Sequence, residues 1–193
     1  MIRSQWRYAP ILFCVLNFGC DAIQPPDKTQ KVRALPSSHY RLIDAFESLV
    51  ESVKAGQTDV ALKTMEPFLM TRKDFDTLFP PALSAQLWPK YRDVIAVDLR
   101  KEVAEVLMSR IKAGFDTIDC VRVSTVNPKH TTRGDLDMIS AMNKPPKMYT
   151  VRLRPKDSEI GLRLNGFVFV NGRWRTLLKT YNYLPKVDAA KTN

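Results

Sequence analysis

The chain is poor in the residues that build most catalytic and metal centres. It holds two histidines and three cysteines in 193 residues, without Cys-x-x-Cys or His-x-x-x-His spacing. Zinc sites use such closely spaced ligands, so we expect no metal and no cofactor. A glycine-rich phosphate loop, a Gly-x-Ser-x-Gly motif and a paired-carboxylate motif are also missing. The sequence therefore carries no recognisable catalytic signature.

Long hydrophobic runs are also missing. The longest apolar stretch covers residues 9–18, about half of the roughly 20 residues that a membrane-spanning helix needs. Arg3 and Arg7 precede it, and a positive segment before a short apolar one is typical of an export signal. We interpret residues 1–19 as a signal peptide and predict no transmembrane span. Exported proteins rarely meet nucleic acid. The net charge of +10 therefore indicates an anionic lipid, another anionic envelope component or an acidic protein as partner, or else serves solubility alone.

The end of this leader resembles the lipobox of bacterial lipoproteins. Gly19 and Cys20 match the lipobox, while Leu16 lies one position too early and Asn17 and Phe18 replace the usual leucine and small residue. The resemblance implies that Cys20 becomes the acylated, palmitate-bearing first residue of the mature protein. Two or more acyl chains hold a protein stably at a bilayer. The alternative is ordinary cleavage, with Cys20 removed or left as a thiol.

The cysteines leave no internal disulfide under this interpretation. Cys14 departs with the leader and Cys20 takes lipid, so Cys120 stands alone within an apolar strand. A buried free cysteine usually behaves as a small hydrophobic residue, and a nucleophilic one would need a histidine nearby. We therefore expect stability to come from packing.

Composition divides the rest of the chain into a tether, one domain and a tail. Residues 20–36 are polar and proline-bearing, which indicates a lipidated N-terminus and a tether. Residues 37–185 form the predicted domain, and residues 186–193 the predicted disordered tail. The basic residues of the tether are candidates for contact with anionic headgroups, or are plain solvated charges: Lys28, Lys31 and Arg33.

Helical periodicity fills the first half of the domain. Apolar residues spaced three, four and seven apart predict a first helix that Gly56 ends. The later predicted elements are a short helix from residue 58 or 59, a helix with a capping box at Thr71 and Asp74, a turn over residues 81–88, and a long helix from Pro89 to Gly114.

Strand periodicity follows. Strands are predicted over residues 118–126, 148–154, 159–164, 167–170 and 173–181, with a short helix near residues 136–142 in the loop after the first. Asn171-Gly172 predicts a tight hairpin. Asn165-Gly166 predicts a bulge in one long strand, or else a second turn. Helices followed by an antiparallel meander indicate an α+β fold with the N-terminal helices on one face of the sheet.

Two segments resemble the nuclear-transport-factor-2-like, or SnoaL-like, superfamily. ESVKAGQTDVALKTM at residues 51–65 is similar to its opening helix, turn and short helix, and GFVFVNGRWRTLLKTY at residues 166–181 to its closing hairpin. They cover about a fifth of the chain, and the helical block over residues 75–113 is larger than the family's pattern. The resemblance implies a curved sheet that wraps helices into a cone with a central pocket. Such a fold does not fix function, because the superfamily holds both enzymes and binding domains.

Three groups of side chains are candidate sites. The first could line a ligand pocket, or be plain core: Phe167, Phe169 and Trp174. The second could form a basic sheet face for an anionic partner, or a merely solvated face: Arg152, Arg154, Arg173, Arg175 and Lys179. The third comprises the acid–base candidates that the resemblance implies: Asp119, His130, Asp135, Asp137 and Tyr149. Nothing in their spacing supplies a pocket or a tuned pKa, so we expect no catalytic residue.

These observations favour a lipid-anchored protein of the cell envelope, on the periplasmic or extracellular side, with a non-catalytic binding or structural accessory domain. One alternative is a pocket enzyme of the SnoaL-like superfamily that uses acid–base residues. It requires a deep pocket with converging polar groups of shifted pKa. The other is a protein-interaction module on an unrelated α+β fold.

Overall fold

The computed structural model describes residues 39–126 and 128–185, and only the backbone of residues 58 and 60–62. Cys20, the predicted leader and tether, and residues 186–193 lie outside the described residues. The helices are α1 (Tyr40–Lys54), α2 (Thr58–Met65), α3 (Arg72–Leu78), α4 (Pro81–Lys90), α5 (Ala96–Asp98), α6 (Ala104–Lys112) and α7 (Arg133–Ser140). The strands are β1 (Thr117–Arg122), β2 (Met148–Arg154), β3 (Leu162–Val170) and β4 (Arg173–Thr176). Short 3-10 segments cover Glu66–Phe68, Pro128–His130 and Leu178–Tyr183. The predicted α+β class is confirmed.

Helix α1 forms as its apolar periodicity predicts. The side chains that it buries recur at helical spacing and belong to the hydrophobic core: Leu42, Phe46, Leu49, Val50 and Val53. The helix ends before Gly56, whose φ of +75° is a left-handed conformation that glycine adopts without strain. The predicted start and stop of this region therefore follow from local chemistry.

The prediction that Pro89 opens a new helix is wrong. Helical residues continue from Pro81 to Lys112 without a break, and Pro89 lies inside α4. Proline has no N–H to donate to the preceding turn, which disturbs the hydrogen-bond ladder of a helix interior. The ladder widens to π spacing soon after, over Tyr91–Ile95 and again over Leu99–Val103. The helical block therefore absorbs the proline through a change of register.

The sheet is an antiparallel meander in the order β1-β2-β3-β4. Asn171 and Gly172 have φ values of +48° and +76°, so the predicted hairpin turn is confirmed. In β3, Asn165 and Gly166 both lie opposite Thr150, because Tyr149 pairs with Phe167 and Val151 with Leu164. This is the predicted bulge, and a bulge bends the strand that carries it.

Helices cover both faces of the sheet, whereas the sequence predicted helices on one face only. Thr150, Val151, Arg152 and Leu153 are all buried, and successive strand residues point to opposite faces. On one face Phe46 of α1 meets Phe167 edge-on, with ring centroids 5.6 Å apart. On the other face α3 supplies Asp74 to Arg175, the cross-strand neighbour of Val168.

Two predicted strands are shorter in the structure. β1 ends at Arg122 instead of residue 126, and β4 ends at Thr176 instead of residue 181. Leu178 has a φ of +41°, which turns the chain out of the sheet into the last 3-10 segment. Lys179 therefore does not lie on a strand, and the prediction that it shares a sheet face with Arg173 and Arg175 is wrong.

A buried ion pair fixes the chain segment that runs beside β4. Asp74 and Arg175 are 1% and 8% exposed, and Arg175 Nε lies 3.1 Å from Asp74 Oδ2 as an ion pair without hydrogen-bond alignment. Arg175 Nη1 donates to the carbonyl oxygens of Pro67 at 2.6 Å and Leu69 at 2.8 Å. Leu69 also forms a parallel bridge with Thr176, so this segment covers the outer edge of β4.

The hydroxyl of Tyr91 completes this attachment. It accepts from the backbone N–H of Met70 at 3.0 Å and donates to the carbonyl of Thr176 at 2.9 Å. Tyr91 is fully buried, and burial raises the pKa of its hydroxyl well above the ordinary value, so the donor proton stays in place. One side chain thereby satisfies two buried backbone groups.

Tyr91→Phe should lower the free energy of unfolding by about 1–3 kcal/mol, because it leaves the Met70 N–H and the Thr176 carbonyl buried without this partner. Urea denaturation measures the change. Tyr149→Phe is the matched control, with an expected change within about 0.5 kcal/mol, since the half-buried Tyr149 ring keeps its packing on Trp174. Equal losses for the two variants would contradict the bridging role.

Helices α3 and α7 begin with the same pattern, Thr-Arg-x-Asp-x-Asp, at Thr71–Asp76 and Thr132–Asp137. Each threonine and the first aspartate form a capping box. Each of these aspartates also accepts from an asparagine of an Asn-Gly pair: Asp74 from Asn171 at 2.8 Å, and Asp135 from Asn165 at 3.2 Å. The two helix starts are therefore fastened to the hairpin turn and to the bulge of β3.

Candidate functional site

A cleft of about 400 Å³ opens between α1 and the β3–β4 hairpin. We call it the aromatic cleft. Its lining comes from α1, from the 3-10 segment at Glu66–Phe68 and from the hairpin: Arg41, Ala45, Pro67, Phe68, Phe169, Gly172, Arg173 and Trp174. This volume lies within the roughly 300–1,000 Å³ of typical small-molecule sites.

The hairpin turn places the two aromatic residues of the wall. Phe169 and Trp174 are direct cross-strand partners, and their ring centroids lie 5.6 Å apart at 68°. The left-handed turn at Asn171-Gly172 sets this register. Tyr149 of β2 packs edge-on against Trp174, also at 5.6 Å. The wall is therefore held in place by backbone pairing and by ring contacts.

The core lies directly beneath the cleft. Phe68 stacks on Phe46 at 5.7 Å and meets Phe167 edge-on at 5.6 Å. Phe167 is 1% exposed, so it belongs to the core and not to the lining. Of the three aromatics that the sequence singled out, the structure thus places Phe169 and Trp174 in the wall.

Arg41 gives the cleft a positive charge. Arg173 also lines the cleft, but it has the strand parity opposite to that of Trp174, so its side chain points to the other face of the sheet. Arg41 and Arg173 are exposed, and neither has an ion-pair partner among residues 39–126 and 128–185. The indole N–H of Trp174 is buried and meets no acceptor in the described part of the chain. The lining therefore combines apolar surface with the positive charge of Arg41 and no acid. Such a surface suits a ligand with an apolar body and an anionic end.

The five predicted basic residues do not share one exposed surface. Arg152 and Arg175 are each 8% exposed because the sheet is covered on both faces at their strands. Arg154 is half-buried, with its Nε 2.7 Å from the Asp119 carboxylate. Arg173 and Lys179 are exposed, but Lys179 lies in the last 3-10 segment. Only Arg173 lines the aromatic cleft.

The acid–base candidates do not meet in one cleft. Asp119 pairs with Arg154, Asp135 caps α7, and Tyr149 packs on Trp174. None of the five candidates lines the aromatic cleft. Asp137 lines a second cleft of about 640 Å³ between α4, α7 and the last 3-10 segment. The side chain of Asp137 there is 56% exposed and lies 3.9 Å from Arg133, so it is a solvated surface pair.

Cys120 is half-buried on β1. Burial raises the pKa of its thiol to about 12, so the thiol stays protonated at neutral pH and is a poor nucleophile. Among the described residues, no three histidine, cysteine or acidic side chains are grouped to hold a metal ion. Within the same part of the chain, no helix has both the length and the apolar character that a membrane crossing requires.

Comparison with known proteins gives no match to this chain: no family model, no curated protein and no solved structure is significantly similar.

Proposed function

We propose that this protein is a lipid-anchored component of the cell envelope whose domain binds a small amphipathic anion in the aromatic cleft without catalysing a reaction. The observation that carries the proposal is the pairing of an apolar wall with an arginine that has no acidic partner in the described part of the chain. Phe169 and Trp174 supply the wall, and Arg41 supplies the charge.

The chemistry of the lining selects the class of ligand. An acyl chain or an aromatic ring gains by leaving water for the surface of Phe68, Phe169 and Trp174. A carboxylate or phosphate at its end pairs with Arg41, because the guanidinium fork matches the spacing of two anionic oxygens. A neutral apolar molecule uses only the wall, and a small inorganic anion uses only the guanidinium group.

Binding without catalysis is supported by the residues that line the cleft. Its charged members are two arginines, which stay protonated at any working pH, and none of its other members is acidic, a histidine or a cysteine. A general acid or base must lie within hydrogen-bond reach of the reacting atom. The aromatic cleft offers no such group in the described part of the chain.

The location and the finer fold are parts of the same proposal. The resemblance of the leader to a lipoprotein signal supports anchoring at Cys20. The succession of α1, the turn at Gly56 and α2, together with the bulged β3 and its Asn-Gly hairpin, supports a nuclear-transport-factor-2-like relationship. In that fold a curved sheet wraps helices into a cone with a central pocket, as the resemblance implies.

Titration with decanoate and with 1-decanol tests the proposed ligand class. Decanoate should bind with a Kd on the order of 0.3 mM, from roughly −0.4 kcal/mol for each non-hydrogen atom. Decanol has the same chain without the charge and should bind about tenfold more weakly. Calorimetry reports the affinities. Equal affinity for the two compounds would contradict an anion-selective cleft.

Variants assign the binding to the aromatic cleft. Arg41→Ala should weaken decanoate about tenfold and leave decanol unchanged, while Ala45→Phe should obstruct both. Lys112→Ala is the matched control, because Lys112 is exposed on the long helical block and the net charge changes equally. The same loss in the control would mean that net charge alone attracts decanoate.

A further inference from the structure

A row of charged side chains crosses the sheet on the face opposite the aromatic cleft. Asp119 of β1, Arg152 of β2 and Arg163 of β3 are directly opposite one another in the strand register. Cross-strand partners point to the same face. In β2, Tyr149 points to the cleft side, where it meets Trp174, and Arg152 has the opposite parity. We call Asp119, Arg152 and Arg163 the charged row.

The loop between Ser124 and Thr131 holds His130 beside this row. The hydroxyl of Thr131 donates to the carbonyl of Ser124 at 2.9 Å and accepts from its N–H at 3.1 Å, which closes the base of the loop. Lys129 Nζ lies 2.9 Å from Glu159 Oε2, in the loop between β2 and β3. The 3-10 turn that carries His130 is thus held through its middle residue, Lys129, and through Thr131, which follows it.

Cations outnumber carboxylates around His130. Asp119 is engaged by Arg154, at 2.7 and 3.4 Å, and Glu159 is engaged by Lys129. Arg152 donates from Nη2 to the carbonyl oxygen of Glu159, and its Nη1 is 4.0 Å from Asp119. Lys156 and Asp157, further along the same loop, have opposite charges that offset each other.

Arg163 supplies a positive charge that is not neutralised by an ion pair in the described part of the chain. Its side chain is exposed and has no carboxylate partner among the described residues. The pKa of His130 is lowered from its ordinary value, first by burial and then by the charges of Arg152, Arg163 and Lys129, against an opposing effect of Asp119. The surroundings of the imidazole are therefore electropositive.

We propose that Arg163, Arg152 and His130 form a binding site for a phosphate-type oxyanion. Arg163 supplies a free guanidinium fork, the form of donor that pairs best with phosphate oxygens. Arg152 adds a fixed positive charge from within the sheet, and His130 adds a donor from the loop. Because the site and the aromatic cleft lie on opposite faces, this proposal does not depend on the proposed function.

The oxyanion could come from free phosphate or from a phospholipid headgroup. Ile160 is 82% exposed and follows Glu159, so an apolar side chain projects from the loop that borders the site. An exposed apolar residue beside cations is a feature of surfaces that touch anionic membranes. Both sources present the same phosphate oxygens to Arg163, and the experiment distinguishes them.

The imidazole signals of the protein, followed by NMR, test the site. Phosphate replaces chloride at constant ionic strength, and the pKa of His130 should rise by about one unit as the anion pairs with it. His39 is the internal reference, since the chain has only these two histidines and His39 stacks on Tyr149, which points to the opposite face. No change at His130, or equal changes at both histidines, would overturn the proposal.

Two variants locate the response. Arg163→Ala should abolish the rise, and Arg122→Ala should retain it, because Arg122 is an exposed cation of the same sheet with the parity of the cleft face. A response that survives Arg163→Ala would overturn the assignment.

Vesicles identify the source of the oxyanion. Protein made in the cytosol, and therefore not acylated, is sedimented with vesicles of phosphatidylglycerol or of phosphatidylcholine. Binding to phosphatidylglycerol that Arg163→Ala removes supports a headgroup as the occupant. A phosphate response at His130 without vesicle binding supports free phosphate. The absence of both would overturn the site.

Discussion

Replacing Asp74 with alanine should lower the free energy of unfolding by about 3–5 kcal/mol, the usual cost of breaking a buried ion pair. The substitution leaves the Arg175 charge, which is 8% exposed, without its carboxylate, and it removes the capping box of α3 and the acceptor of Asn171. Urea denaturation followed by circular dichroism gives the change.

Asp135→Ala separates the cost of the charge from the cost of the cap. Asp135 has the same capping box and the same kind of asparagine donor, but no arginine pairs with it in the described part of the chain. Its loss should lower the free energy of unfolding by about 1–2 kcal/mol. If Asp74→Ala and Asp135→Ala lower the free energy of unfolding equally, the ion pair between Asp74 and Arg175 contributes nothing to stability.

The pH dependence offers a second measure of Asp74. Burial alone would raise its pKa, but hydrogen bonds from Thr71 and Asn171 and the charge of Arg175 outweigh burial, so the pKa is lowered. Because the pKa of Asp74 is lower in the folded than in the unfolded state, the carboxylate stabilises the fold at pH values above the unfolded pKa of about 4. This stabilisation is lost as the pH falls through the folded pKa. Asp74→Asn should therefore lose less stability than the parent protein on acidification below pH 4.

Cys20→Ser should remove almost all of the protein from the membrane fraction of an export-competent bacterial host. The serine hydroxyl cannot carry the acyl chains. Each methylene group of such a chain that is buried in a bilayer contributes about 0.8 kcal/mol to membrane binding. Fractionation followed by intact mass reports location, cleavage and acylation together. Cys120→Ser is the matched control and should stay with the membrane. Retention of Cys20→Ser would contradict the anchoring proposal.

The sequence predicts the parts of the fold that depend on local chemistry. The apolar stripe and the terminal glycine define α1, and the strand predicted over residues 148–154 coincides with β2. Asn171-Gly172 and Asn165-Gly166 give the hairpin and the bulge because few other dipeptides adopt left-handed backbone conformations so readily. The Thr-x-x-Asp pattern at Thr132 would also have located the start of α7 by the same reasoning.

What the sequence misses depends on partners distant in the chain. The sequence around Arg175 predicts a solvated strand residue. In the structure Arg175 is buried against Asp74 and the carbonyl of Pro67, which lie about a hundred residues earlier in the chain. The aromatic cleft has the same origin. Phe169 and Trp174 are visible as a pair, but Arg41 joins them only because α1 packs on the hairpin face of the sheet. No short sequence motif predicts the packing of α1 on the hairpin.

NMR of the protein with decanoate tests the aromatic cleft most directly. Intermolecular nuclear Overhauser effects should connect the methylene protons of the acyl chain with the rings of Phe169 and Trp174, and the carboxylate should shift the guanidinium signal of Arg41. Contacts confined to Tyr181 and Leu184 of the second cleft, or no contacts at all, would contradict binding in the aromatic cleft.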